Sequence, residues 1–295
     1  MKIRRVRFRK PQKRINIKRV HIRGLTREEL KKGIYIIPSL FTCGNMSFGI
    51  LSIIMSINDH VNDHLVIAAW FLIGALFCDI LDGRIARMTK TTSMFGMELD
   101  SMSDLVSFGI APAMMMYMLV LHTMGNIGIA IAVLYVLCCA LRLARFNVLA
   151  HTGEVHKHFV GLPTPASAGV IISFVFCNQL LAPEGVSLNS KTIPVLMEFL
   201  PTFFKAMPVV IVALSFLMVS NIPYVSFKKL KWTKIRTIEL MAVLIVLIIL
   251  IVIFPQNVIF IIFTGYAVSG LLIYIPRVIF RKRKSPEKQV EVDEL

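Results

Sequence analysis

Apolar residues run along the chain in long blocks, and polar and charged residues gather in the joints between them. Blocks close to the ~20 residues that cross a hydrocarbon core fall at 34–57, 64–83, 105–121, 127–148, 165–182, 203–220, 238–254 and 257–276. The pattern predicts an all-α fold, a polytopic transmembrane helical bundle of about eight spans. The third span holds Asp100 and Asp104 in its first turns, and only the part after Ser107 is cleanly apolar. Joints after the first, third and seventh blocks are a few residues long, which forces antiparallel neighbours. The longest outer joint, 183–200, holds Pro183, Gly185 and Pro194 and reads as a loop. Three regions follow: a basic arm at 1–33, a membrane domain at 34–276 and a charged tail at 277–295.

Composition agrees with the blocks. The 295 residues are 56% hydrophobic and 17% charged, with a mean hydropathy of +0.72, which excludes a soluble domain of ordinary make-up. Eight spans with both ends inside put all but Lys191 and Lys205 of the 33 Lys and Arg residues on one side, as the positive-inside rule requires of a cytoplasmic face. A seven- or nine-span count scrambles that pattern. The net charge of +16 is thus read as contact with anionic membrane lipids and not with nucleic acid, since the one aromatic residue in the basic arm, Phe8, makes no stacking platform. The arm is no cleavable signal, because a long polar stretch precedes the first apolar block. Cys43, Cys78, Cys138, Cys139 and Cys177 sit in apolar blocks without C-x-x-C spacing and read as small buried hydrophobes.

One window departs from this pattern. Residues 78–104, "CDILDGRIARMTKTTSMFGMELDSMSD", hold Asp79, Asp82, Glu98, Asp100 and Asp104 beside apolar helices. A carboxylate there costs roughly 2.5–3.5 kcal/mol even on the gentlest insertion scale, so a compensating ligand is expected. Asp79 and Asp82 are three apart and Asp100 and Asp104 four apart, so each pair shares a helix face. The two helix ends meet at the cytoplasmic border, joined by a short loop expected to carry Arg84, Arg87 and Lys90. Four converging carboxylates with no His or Cys at ligand spacing suit a hard divalent cation, Mg²⁺ or Mn²⁺. Gly83, Ala86 and Gly96 leave room for a ligand to approach, and Arg87 offers a phosphate partner. A divalent-cation transporter would also carry intramembrane acids. Against it, no acid in the later blocks continues a route.

The spacing Asp79-x-x-Asp82-Gly83-x-x-Ala86-Arg87, eight residues, Gly96, three residues, Asp100, three residues, Asp104 resembles the signature of the CDP-alcohol phosphatidyltransferases without a gap. The resemblance implies a core of six transmembrane helices, usually a homodimer, and makes 34–276 a catalytic domain. It also implies a two-metal site open to the cytoplasm, and transfer of a phosphatidyl group from a CDP-linked lipid to an alcohol with release of CMP. By the same resemblance Asp79, Asp82 and Asp100 are metal or nucleotide ligands. Asp104 is then the general base, less tightly coordinated although it belongs to the cluster. Glu98 stands outside the signature and receives no role.

The acceptor alcohol is addressed by other stretches. "RLARFN", with Arg142 and Arg145 on one helical face, and "FVGLPTPASA" from Phe159 resemble the phosphatidylserine synthase branch of the family, as does the opening "IPSLFTCGNMSFG". That branch implies CDP-diacylglycerol and L-serine as substrates; the sister enzymes use glycerol phosphate or inositol. Arg142 and Arg145 suit a serine carboxylate or a lipid phosphate, and equally suit plain positive-inside anchors. Thr42 and Asn45 share a face of the first helix and are expected to line the nucleotide pocket. Ser39 stands where the family commonly has Asn. His151, His156 and His158 are expected in a solvated loop, and Gly161, Pro163 and Pro165 in a rigid entry to the fifth span. The resemblance covers residues 33 to 175 well, and the later spans match only in being hydrophobic.

Overall fold

The computed structural model describes residues 27–58, 63–89, 93–151, 159–179, 194–224, 245 and 255–282. Outside them lie most of the basic arm, Lys90, His156 and His158, the greater part of the 183–200 loop, the basic group from Lys228 to Arg236, nearly all of the 238–254 block and the end of the tail. Helix α1 spans Arg27–Ile57 and α2 spans Asp63–Thr89. Next come α3 (Met94–Asp104), a π segment (Leu105–Ile110) and α4 (Ala111–Leu119), which run on as one rod. After a 3₁₀ turn at Leu121–Met124 follow α5 (Asn126–His151), α6 (Thr164–Gln179), α7 (Pro194–Val219) and α8 (Pro255–Lys282).

Among the described residues, four stretches are long and apolar enough to cross a membrane: Pro38–Ile57, His64–Thr89, Met94–Leu119 and Asn126–Ala150. Shorter apolar helices lie at Thr164–Cys177, Lys205–Val219 and Val258–Gly270 among the described residues. Apart from one two-residue antiparallel pair, β1 (Phe159–Val160) with β2 (Pro223–Tyr224), every described regular element is helical.

Four boundaries differ from the sequence expectation. Arg84 and Arg87 lie on α2, not in a loop, because no helix breaker occurs before Thr89. The third span starts at Met94, where Ser93 takes an extended backbone and its hydroxyl accepts the Gly96 N–H at 3.0 Å, a side-chain cap that lets the polar turns join the helix. Pro194 opens α7 instead of breaking a loop, since a first-turn proline gives up an N–H that has no partner there anyway. His151 likewise ends α5.

Packing explains the order of the rods. α1 lies along α2, α5 along α7 and α6 along α8. Fully buried Leu72, Phe108, Met115, Met116, Tyr135 and Phe174 fill the centre. Where apolar side chains face lipid on one side and protein on the other, close approach at small residues supplies the contact energy. Gly161, at φ 82°, turns the chain so that its N–H donates to the Ile222 carbonyl at 2.9 Å, and Leu162 N–H donates to the Leu217 carbonyl at 3.0 Å. The "FVGLP" segment is thereby tied to the end of α7.

Candidate functional site

Helix α2 carries Asp79 and Asp82 one turn apart, and α3 brings Asp100 against them. One carboxylate oxygen from each of these three residues lies within 4.8 Å of the others. Oδ2 of Asp82 and Oδ1 of Asp100 are buried without a hydrogen-bond partner. Buried anionic oxygens left unpaired are costly, and an all-oxygen donor set of this size fits a hard divalent cation. The side chain of Thr42 and the backbone N–H of Gly83 also face the Asp82 carboxylate. The Thr42 hydroxyl donates to the Pro38 carbonyl at 3.1 Å.

Beside the three acids is a cavity of about 260 Å³. Pro38, Ser39, Thr42, Asp82, Gly83, Ala86, Arg87, Ser93, Gly96, Met97 and Asp100 line it. Six of the signature positions thus meet around one space, at the junction of α1, α2 and α3. Arg87 folds back along its own helix, its Nε donating to the Gly83 carbonyl at 2.6 Å, and its side chain lines the cavity. Gly96 is needed small because a Cβ there would come within 3.1 Å of Ser93 Oγ, the cap of the helix.

Asp104 is not among the three whose oxygens converge, although its carboxylate faces the charges of Asp79, Asp100 and Asp82. Its Oδ1 accepts from Asn45 Nδ2 at 3.2 Å, and Asn45 is wholly buried on α1. Two serines on the same rod lock this register: Ser103 Oγ donates to the Thr42 carbonyl at 3.0 Å and Ser107 Oγ to the Asn45 carbonyl at 2.9 Å. A Cβ added at Gly49 would lie 2.9 Å from Ser107 Cα, so the two helices approach here to backbone distance. Sequence reasoning passed over Ser93, Ser103 and Ser107; serines at fourfold spacing in an apolar rod were the available signal.

The two arginines separate. Arg142 is 6% exposed, its guanidinium stacks 4.6 Å from the Phe146 ring centroid, and its buried Nε has no hydrogen-bond partner. Its charge faces Asp104 of α3 and Tyr266 of α8. Arg145 is exposed and donates from Nη2 to Asn221 Oδ1 at 2.8 Å, joining α5 to the end of α7. Glu98, which the signature leaves out, accepts from Asn147 Nδ2 at 3.1 Å, and Asn147 Oδ1 accepts from Ser101 Oγ at 3.0 Å. That network fastens α3 to the last turns of α5.

A sequence profile of the family described as CDP-alcohol phosphatidyltransferase matches residues 35–204. The chain belongs to that family. Among relatives of this phosphatidyltransferase, the CDP-diacylglycerol–serine O-phosphatidyltransferase of Helicobacter pylori is 34% identical over 255 residues, 85% of this chain and 98% of its own length. The Bacillus subtilis protein of the same name is 34% identical over 197 residues, 65% of this chain and 92% of its own. The archaetidylserine synthase of Methanothermobacter thermautotrophicus is 42% identical over 140 residues, 47% of this chain and 57% of its own.

Proposed function

We propose that this chain transfers the phosphatidyl group of CDP-diacylglycerol to the hydroxyl of L-serine, giving phosphatidylserine and CMP. The reading is carried by the acid cluster, three carboxylates converging on one point and a fourth, bonded to Asn45, that faces them. The names of the relatives supply the substrates. Asp79, Asp82 and Asp100 would hold Mg²⁺ or Mn²⁺, and a bound pair of such ions would neutralise the pyrophosphate and the charge that builds on the leaving oxygen.

The chain's own residues do the rest. The cavity beside Thr42, Gly83, Ala86, Arg87 and Gly96 takes the cytidine and its first phosphate, with Arg87 available for bidentate pairing. Asp104 removes the proton from the serine hydroxyl as the oxygen attacks the phosphorus that bears diacylglycerol. The bond from that phosphorus to the bridging oxygen breaks, and its electron pair leaves with CMP. Arg142, buried and with an unpaired Nε, holds the serine carboxylate; Arg145 instead braces Asn221.

The wider topology follows from charge. With 238–254 as a further span the bundle has eight, a six-helix core among them, and both ends and the site face the cytoplasm, where Lys and Arg concentrate. Anionic lipids meet that basic face. A homodimer is part of the same reading, on the family resemblance alone. Purified protein given labelled serine, glycerol phosphate or inositol, each with Mg²⁺ and with Mn²⁺, tests the acceptor. CMP release that does not depend on serine overturns it.

A further inference from the structure

The rod that carries Asp100 and Asp104 changes helix type directly after Asp104. In the π segment Leu105–Ile110 the Ala111 N–H reaches back five residues to the Val106 carbonyl. The rod nevertheless keeps one face on α1. Ser103 meets the Thr42 carbonyl, Ser107 the Asn45 carbonyl, and Met115 Sδ accepts from Ser52 Oγ at 3.7 Å. Twelve residues of regular α-helix rotate about 120° beyond whole turns, which would swing Met115 off the face that Ser103 uses. One residue absorbed by the π segment reduces that drift to about 20°. The π segment therefore lets the rod stay on α1 at both ends while Asp104 keeps its place at Asn45.

A widened turn has backbone groups to satisfy, and in an apolar bundle they need partners from neighbours. Pro112 has no N–H to give the Phe108 carbonyl four residues before it. Tyr135, wholly buried on α5, donates its hydroxyl to that carbonyl at 3.3 Å. The same oxygen is 3.0 Å from Ser167 Oγ of α6. With the tyrosine proton on Phe108, Ser167 is the donor of the second bond.

We propose that Tyr135, braced by Ser167, is a positioning residue of the transfer reaction: by holding the Phe108 carbonyl it fixes the π segment and so aims the Asp104 carboxylate. The inference rests on Asp104 being the base of the reading above. Tyr135 acts through the backbone and touches neither substrate.

The test is a cycle of wild type, Tyr135→Phe, Pro112→Ala and the double variant in lipid nanodiscs, assayed for serine-dependent CMP release. Tyr135→Phe loses about tenfold to a hundredfold in kcat, the penalty of a misaimed group, while KM for CDP-diacylglycerol stays within about twofold. Pro112→Ala returns an N–H to the Phe108 carbonyl, so in that background the same change loses about threefold or less. Ser167→Ala, which spares the Tyr135 to Phe108 bond, loses kcat in the same direction by about twofold to fivefold. Wild-type kcat in Tyr135→Phe, or an equal loss in both backgrounds, overturns the proposal. Asp104→Asn is assayed alongside. If it keeps turnover, the base assignment fails and takes the proposal with it, a result distinct from an inactive Asp104→Asn beside a fully active Tyr135→Phe.

Discussion

Along the seam between α1 and the α3–α4 rod, the contacts are hydrogen bonds. Asn45 reaches Asp104, Ser103 and Ser107 reach α1 carbonyls, and Ser52 reaches Met115. Along α8, where α6 and β2 meet it, they are rings on glycines. Phe263 packs on Gly169 of α6, and the Tyr224 ring of β2 packs on Gly270, its hydroxyl donating to the Ala267 carbonyl at 3.1 Å. Both seams bring backbones close, which is what association in lipid rewards. They differ in what they fix. A hydrogen bond is directional and loses strength within a few tenths of an ångström, whereas ring-on-glycine packing tolerates small slides. The polar seam lies where three acids must converge, and neither helix of the apolar seam carries an acid.

The comparison is broken most severely at the acids. Asp104→Asn should lower turnover by about 10²–10⁴-fold while CDP-diacylglycerol still binds, because only the proton acceptor is lost. Asp79→Asn should weaken metal and CDP-lipid binding as well, read by isothermal titration. Equal binding defects in the two variants would refute the division of labour.

A pair of glycine changes contrasts the seams directly. Gly49→Ala forces α1 away from Ser107, and Gly169→Ala forces α8 away through Phe263; each should cost about 1–3 kcal/mol of stability by overpacking. Only Gly49→Ala should also reduce kcat per folded molecule, since only that seam sets the register of Asp104. A matching kcat loss in Gly169→Ala, measured on protein that elutes as a folded species, would erase the distinction.

The arginines give a smaller effect. Arg142→Gln should raise the serine KM about tenfold, the loss of one charged hydrogen bond, while Arg145→Gln should change it by about twofold. Should the order be reversed, the carboxylate partner is Arg145. Smallest of all is Ser52→Ala, which removes one weak hydrogen bond to sulfur and should shift thermal stability by about 0.5 kcal/mol or less with kcat unchanged. A clear kcat loss there would mean that the register is set along the whole seam and not beside Asp104.

Much of this site could be read from spacing. Asp79 and Asp82, three apart, and Gly83, Ala86 and Arg87 after them had to share one helix with a small, charged face, and Gly96 and Asp100 had to follow at a fixed angle. The structure gathers all of these but Asp79 around one cavity, and Asp79 converges with Asp82 and Asp100 beside it. What spacing did not reveal was the exclusion of Asp104 from the trio, or the difference between Arg142 and Arg145, three residues apart on one helix. It also placed the start of the third span too late, because a serine cap at Ser93 outweighs polar composition there.

The sequence by itself determined which segments are helical and apolar, which acids sit at which angle on each helix, and which family the chain joins. These follow from local periodicity, since 3.6 residues per turn fix directions around a helix without reference to any other. Only the tertiary structure decided which of those directions meet. The offset and rotation between rods come from Gly49 against Ser107, from the π segment after Asp104 and from the Tyr135 contact with Phe108. These contacts join residues far apart in the chain, so no local pattern records them.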